Sequence, residues 1–148
     1  MSKRNWKVER ITVSAIVHST EDKEKVGEAI STLFPFEFEI LVSEAKGHYG
    51  NPIKFLEVPI EDRRKIREFW NHFIEKLEDR DLLLNLIEEI VDEFGTLHIR
   101  VDKQKAYLGK LEIAYGGDCI AVKVKLVTYP SKRDKFIAAA RELIEKGL

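Results

Sequence analysis

From residue 8 to residue 18 apolar and polar side chains largely alternate. Ile11, Val13, Ala15 and Val17 fall on one side, and Arg10, Thr12, Ser14 and His18 on the other. A period of two over this length describes a strand with one face in a core and one towards water, so the chain needs a sheet and a cover for one side of it. The remaining periodicities supply both. Residues 36–43, 53–58, 97–101, 107–113 and 119–129 read as further strands, with "AYGGD" (114–118) as the turn before the last. Val26, Ala29, Ile30 and Leu33 recur at helical spacing after a capping Thr20 and before Pro35. Ile66, Phe69, Trp70, Phe73 and Leu77 form a second apolar stripe, and Leu83, Leu86, Ile87 and Ile90 a third that Gly95 ends. Ser131 with Asp134 makes a capping-box start for a last helix bearing Phe136, Ile137, Ala140, Leu143 and Ile144.

The order β-α-β-β-α-α-β-β-β-α, rich in hairpins, predicts an α+β fold of two layers. A mainly antiparallel sheet of about six strands carries helices on one face. The other face is then polar, and alternation places Arg10, Thr12, His18, His98, Arg100, Lys110, Lys123 and Lys125 there. A length of 148 residues with 44% hydrophobic content fits a single domain spanning 1–148. No apolar run has membrane-spanning length and "MSKRNWKVER" lacks an apolar h-region, so the expectation is a cytoplasmic protein with no membrane partner.

Charge is informative by placement. The net of -1 gives no global field for a polyanion. Locally, the stretch 75–93 is acidic, with only Lys76 and Arg80 as bases, whereas 100–135 is basic. With 34% charged residues and one Cys and one Met, the composition leans towards a heat-adapted source.

Motifs for chemistry are sparse. His18, His48, His72 and His98 are scattered and none has metal-ligand spacing; Cys119 has no second thiol beside it and reads as a small apolar group in a strand. Glu78, Asp79 and Asp81 read as a solvated face between helices. The sequence carries no phosphate-binding glycine loop and no nucleophile elbow. The expectation is no enzyme, no cofactor and no metal site. Acid–base catalysis by His48 and His98 would require the fold to bring the two together, and a nuclease reading would require dependence on a divalent metal.

Two connections are richer than turns require. "AKGHYGNPIKF" (45–55) holds Lys46, His48, Tyr49 and Asn51 between Gly47, Gly50 and Pro52. "RVDKQKAYLGKL" (100–111) holds Lys103, Gln104 and Lys105 beside Tyr107 and Gly109. Lysines neutralise phosphate, an amide bonds a base edge, and an aromatic ring stacks on an unpaired base. Composition alone favours the plainer alternative of two ordered hairpin loops with Tyr49 and Tyr107 in the core and the lysines solvated.

The motifs "GHYGNPI" (47–53), "RVDKQKAYLG" (100–109) and "DCIAVKVK" (118–125), preceded by "STEDKEKV" (19–26), resemble an archaeal family described as predicted exosome subunits or RNA-binding proteins. The resemblance implies a fold similar to the ribosomal protein that holds 5S ribosomal RNA, and RNA, structured or single-stranded, as the partner, with exosome or ribosomal components beside it. The expected interface joins both loops: Lys46, His48, Tyr49 and Asn51 near Arg100, Lys103, Gln104, Lys105 and Lys110, extended by Lys123 and Lys125. The alternative is a protein-interaction or assembly subunit using the same loops or the acidic helix pair. A homodimer is compatible with either.

Overall fold

The computed structural model describes residues 6–47 and 50–148. Among these, five strands form one sheet: β1 (Val8–Val17), β2 (Leu41–Lys46), β3 (Pro52–Ile60), β4 (Thr96–Asp102) and β5 (Cys119–Leu126). Their order is β2-β3-β1-β5-β4 and every neighbouring pair is antiparallel. The helices are α1 (Lys23–Ser31), α2 (Arg63–Lys76), α3 (Arg80–Asn85), α4 (Ile87–Ile90), α5 (Lys103–Tyr107) and α6 (Arg133–Lys146). The fold is α+β as expected, with five strands rather than six.

The alternation in β1 decides the layering. Ile11, Val13, Ala15 and Val17 are buried in one cluster with Ile30 of α1, Phe69, Trp70 and Phe73 of α2, and Leu143 and Ile144 of α6. Asp62 starts α2 by accepting a hydrogen bond from the Lys65 N–H at 3.1 Å, and Ile66, Phe69, Trp70, Phe73 and Ile74 then recur along its buried stripe. The Trp70 indole N–H donates to the Leu143 carbonyl at 2.9 Å, which satisfies a fully buried donor and ties α2 to α6. Gly95 has φ +87° and the Phe136 ring lies 2.6 Å from where a Cβ would stand, so α6 closes over this turn only because the residue is glycine.

Several boundaries differ from the sequence reading. Asp22, not Thr20, caps α1, accepting from the Glu24 N–H at 2.9 Å. Ser131 lies one residue before the N-cap of α6, and its hydroxyl donates to the Thr128 carbonyl instead. β2 begins at Leu41 because the preceding aromatics serve the core: Phe34 stacks on Phe38 at 4.1 Å between centroids and meets Phe69 at 4.8 Å.

The largest correction is at 107–113, expected as a strand. Asp102, at the end of β4, accepts from the Lys105 N–H at 2.8 Å and starts α5. Gly109, at φ +87°, closes it: its N–H reaches the Ala106 carbonyl and the Lys110 N–H reaches the Lys105 carbonyl, both at 2.9 Å, the paired bonds of a Schellman ending. The chain then returns along β4, where Asp102 N–H bonds Glu112 O and Ala114 N–H bonds Arg100 O, each at 2.9 Å. At the other end of β4 the Asp92 N–H bonds the Thr96 carbonyl at 3.0 Å. The outer edge of β4 is thus covered at both ends, whereas all six residues of β2 at the opposite edge are exposed.

Candidate nucleic-acid interface

Strand pairing fixes which side chains share the face without helices, because directly opposed residues point the same way. One row runs Thr96, Lys125, Arg10; the next His98, Lys123, Thr12, Pro59; the third Arg100, Ala121, Ser14, Glu57. Ile16 and Phe55 pair in the fourth. Arg10, Arg100, Lys123 and Lys125 therefore converge from three strands onto a surface that also holds Phe55, which is 40% exposed, and Ile16, at 38%. A concavity of about 510 Å³ lies over Ser14, Ile16, Phe55, Glu57, His98, Arg100 and Lys123. A second, of about 210 Å³, lies over Arg10, Thr12, Thr96 and Lys125 and shares Ser14, Glu57 and Lys123 with the first.

The cations on this face are held loosely. Arg10 bonds its neighbour Glu9 at 2.8 Å in an exposed pair, and the Lys125 ammonium donates to the Phe94 carbonyl at 2.9 Å. Exposed contacts of this kind are weak enough to exchange for phosphate. His98 is more tied. Its Nε2 lies 2.8 Å from Asp92, whose carboxylate also accepts from the Phe94 and Thr96 N–H groups at 2.9 Å each. Burial raises the Asp92 pKa, but the hydrogen bonds from His98, Thr96 and Phe94 outweigh it and hold the carboxyl below the usual range. At Cys119, which lines the larger concavity, burial is the leading cause that pushes the thiol up, away from the thiolate a nucleophile needs.

Of the residues expected from the sequence, Arg100, Lys123 and Lys125 stand on the open face, and Lys110 does not. It lies in the exposed turn that closes α5. Lys103 is a firmer correction. It is only 6% exposed, and its ammonium lies 2.6 Å from Asp118, 3.2 Å from both Glu21 oxygens and 2.8 Å from the Ile16 carbonyl, so it is spent inside the protein rather than offered to phosphate. His18 stands 3.5 Å from the same Asp118. The ligand-type atoms of His18, Glu21 and Asp118 lie within 4.8 Å of one another, with the Lys103 ammonium supplying the positive charge that this group attracts.

The two loops lie at the same end of the sheet, since Lys46, Val17, Cys119 and Asp102 all fall at strand ends on that side. They do not form one patch. The β2–β3 tip and the end of β4 are separated by three strand spacings, roughly 14 Å. Gln104 and Lys105 ride on α5, which docks on α1 instead, with the Thr32 hydroxyl donating to the Ala106 carbonyl at 2.6 Å. Tyr107 is half-exposed beneath Lys25, not in the core. Lys46 and Asn51 are exposed at the tip, where the Gly47 N–H bonds the Asn51 carbonyl at 2.6 Å; His48 and Tyr49 lie outside the described residues.

Phe55, Ile16 and Glu57 were not among the expected site residues. The signal was present in the order Lys54, Phe55, Leu56, Glu57, Val58: if Leu56 and Val58 face the core, Phe55 must face away.

A family model described as RNA binding matches residues 10–126, four of the five strands completely and most of β1. The chain belongs to this family. Three relatives resemble it over nearly their whole length. RNA-binding protein PAB1135 of Pyrococcus abyssi (strain GE5 / Orsay) is 43% identical over 142 residues, covering 91% of this chain and 92% of that protein. Among solved structures, protein AF2318 from Archaeglobus fulgidus is 60% identical with a TM-score of 0.87, covering 93% of this chain and 99% of that one. Mth689, a DUF54 protein from Methanothermobacter thermautotrophicus, is 34% identical with a TM-score of 0.78, covering 94% and 99%. These relatives are archaeal, and the two solved structures share this α+β fold. No helix among the described residues is long and apolar enough to cross a membrane.

Proposed function

We propose that this chain is a non-enzymatic RNA-binding protein that receives unpaired RNA on the open face of its sheet. The observation that carries this reading is the register that sets Arg10, Arg100, Lys123 and Lys125 on the same open face as the half-exposed Phe55, with Arg100 and Lys123 lining the concavity that Phe55 shares. Cations position phosphate and an aromatic side chain stacks on any base, so the pair of features fits a single strand laid across the sheet. Membership of the RNA-binding family and the likeness to RNA-binding protein PAB1135 of Pyrococcus abyssi support it.

The test is the salt dependence of binding to single-stranded RNA. Lys123→Ala with Lys125→Ala should flatten the slope of log affinity against log salt by roughly 0.7 for each lost phosphate contact. Unchanged affinity and slope in the double variant would remove the open face from the proposal.

The second reading is an assembly subunit that docks a partner strand on β2, with exosome or ribosomal components as partners. The exposed edge favours it: Leu41 is 53% and Val42 44% exposed on a strand with no neighbour on its outer side among the described residues. Retention on immobilised RNA at low salt with release by salt supports the binder. Flow-through, together with co-purification from cell extract that survives ribonuclease, supports the assembly role.

A further inference from the structure

The open face proposed for a polyanion carries, on the β3 side of its cations, a carboxylate. Glu57 stands on β3 opposite Ser14, in the same row as Arg100, and lines the larger concavity with Phe55 and Lys123. Among the described residues no cation forms an ion pair with it. An exposed carboxylate outside any ion pair repels phosphate, so what it accepts from a ligand at this point on the face is a hydrogen-bond donor.

The chemistry of the bases narrows the donor. Guanine presents two adjacent donors on its Watson–Crick edge, N1–H and the N2 amino group, spaced to meet the two oxygens of one carboxylate. Adenine and cytosine set an acceptor nitrogen beside their amino group, and uracil flanks its N–H with two carbonyls, so each brings a lone pair towards the same carboxylate. The strand geometry suits the larger ring. Phe55 and Glu57 are separated by two residue rises, roughly 7 Å on one face, so a purine stacked over Phe55 brings its edge to Glu57.

We infer that the concavity holds an unpaired guanine, stacked on Phe55, with N1–H and the N2 amino group donating to Glu57, while Arg100 and Lys123 take the flanking phosphates. The inference rests on the RNA-binding reading above and adds base choice to it. Glu57 weakens binding in general and restores it for one base, which is how a charged face acquires selectivity.

The test uses short oligouridylates with one central guanosine, inosine or adenosine, measured by fluorescence anisotropy at fixed salt with the full chain. The expected order is guanosine tightest, adenosine weakest by roughly tenfold or more, and inosine, which lacks the N2 amino group, between them. Glu57→Gln should erase most of the guanosine advantage and bind the adenosine probe at least as well as the parent does, because a negative charge has been removed. Equal binding of all three probes by the parent, or a guanosine preference that persists in Glu57→Gln, overturns the base assignment and leaves RNA binding standing. Failure of the parent to bind any probe at low salt overturns both.

Discussion

The ammonium of Lys103 lies 2.6 Å from the Asp118 carboxylate, joining the first residue of α5 to the residue that precedes β5. Glu21, before α1, holds the same ammonium from the other side. One buried cation therefore fastens three connections at one end of the sheet.

Replacing Lys103 with Ala should accordingly destabilise the fold. Glu21 and Asp118 are left facing one another without their cation; because both are partly solvated, the loss should be roughly 1–3 kcal/mol, below that of a fully buried pair. Urea unfolding measures it. The RNA salt slope, taken well below the melting temperature, should stay as in the parent, and a flattened slope would show that Lys103 reaches phosphate after all.

Phe55→Ala should do the opposite. The ring is 40% exposed, so stability should change little, while affinity for single-stranded RNA should fall by about 1–3 kcal/mol with the salt slope unaltered. A normal affinity in this variant would place the stacking platform elsewhere.

Two glycines with the same φ separate backbone strain from crowding. Gly109 at +87° has open space around it, so Gly109→Ala should cost about 1–2 kcal/mol from the left-handed conformation alone. Gly95 at +87° faces the Phe136 ring at 2.6 Å, so Gly95→Ala should cost roughly 2–5 kcal/mol as the ring is displaced from the core. Equal urea midpoints for the two variants would contradict the packing of α6 on this turn.

Asp92 gives a pH signature. Its carboxyl is held below the ordinary value of 3.8, so the charged form is favoured by folding; this contribution is complete above that value and is lost as pH falls through the lower, folded one. Asp92→Asn keeps an acceptor for the Thr96 and Phe94 N–H groups but not the charge facing His98. The stability gap between parent and variant should therefore be full at neutral pH and close as pH drops below about 4. A gap that is constant down to strong acid would assign the effect to packing.

How far the sequence leads depends on the range of the interactions involved. The alternation of Ile11, Val13, Ala15 and Val17 is local, and it correctly divided β1 between core and water. The same logic placed Arg100, Lys123 and Lys125 together before any pairing was known. Lys103 was misread because its partners Glu21 and Asp118 lie far along the chain, and nothing near it signals burial. α5 has five residues, too few to show a helical period, and only Asp102 and Gly109 mark its ends. Phe55 was passed over because it lies beside Leu56 in an apolar pair whose two members face opposite ways.

The unequal edges of the sheet bear on what association can do. Residues 112–114 and Asp92 occupy the outer side of β4, while β2 is bare along its length. Among the described residues, backbone pairing between copies would therefore have a bare flank at β2 alone. Two chains joined β2 to β2 would bury both bare flanks at once, and the resulting sheet would end in covered strands on either side. Growth would stop there: an edge pairing that could have propagated into a fibre would be self-terminating at two, with the open faces of both chains continuous across the seam.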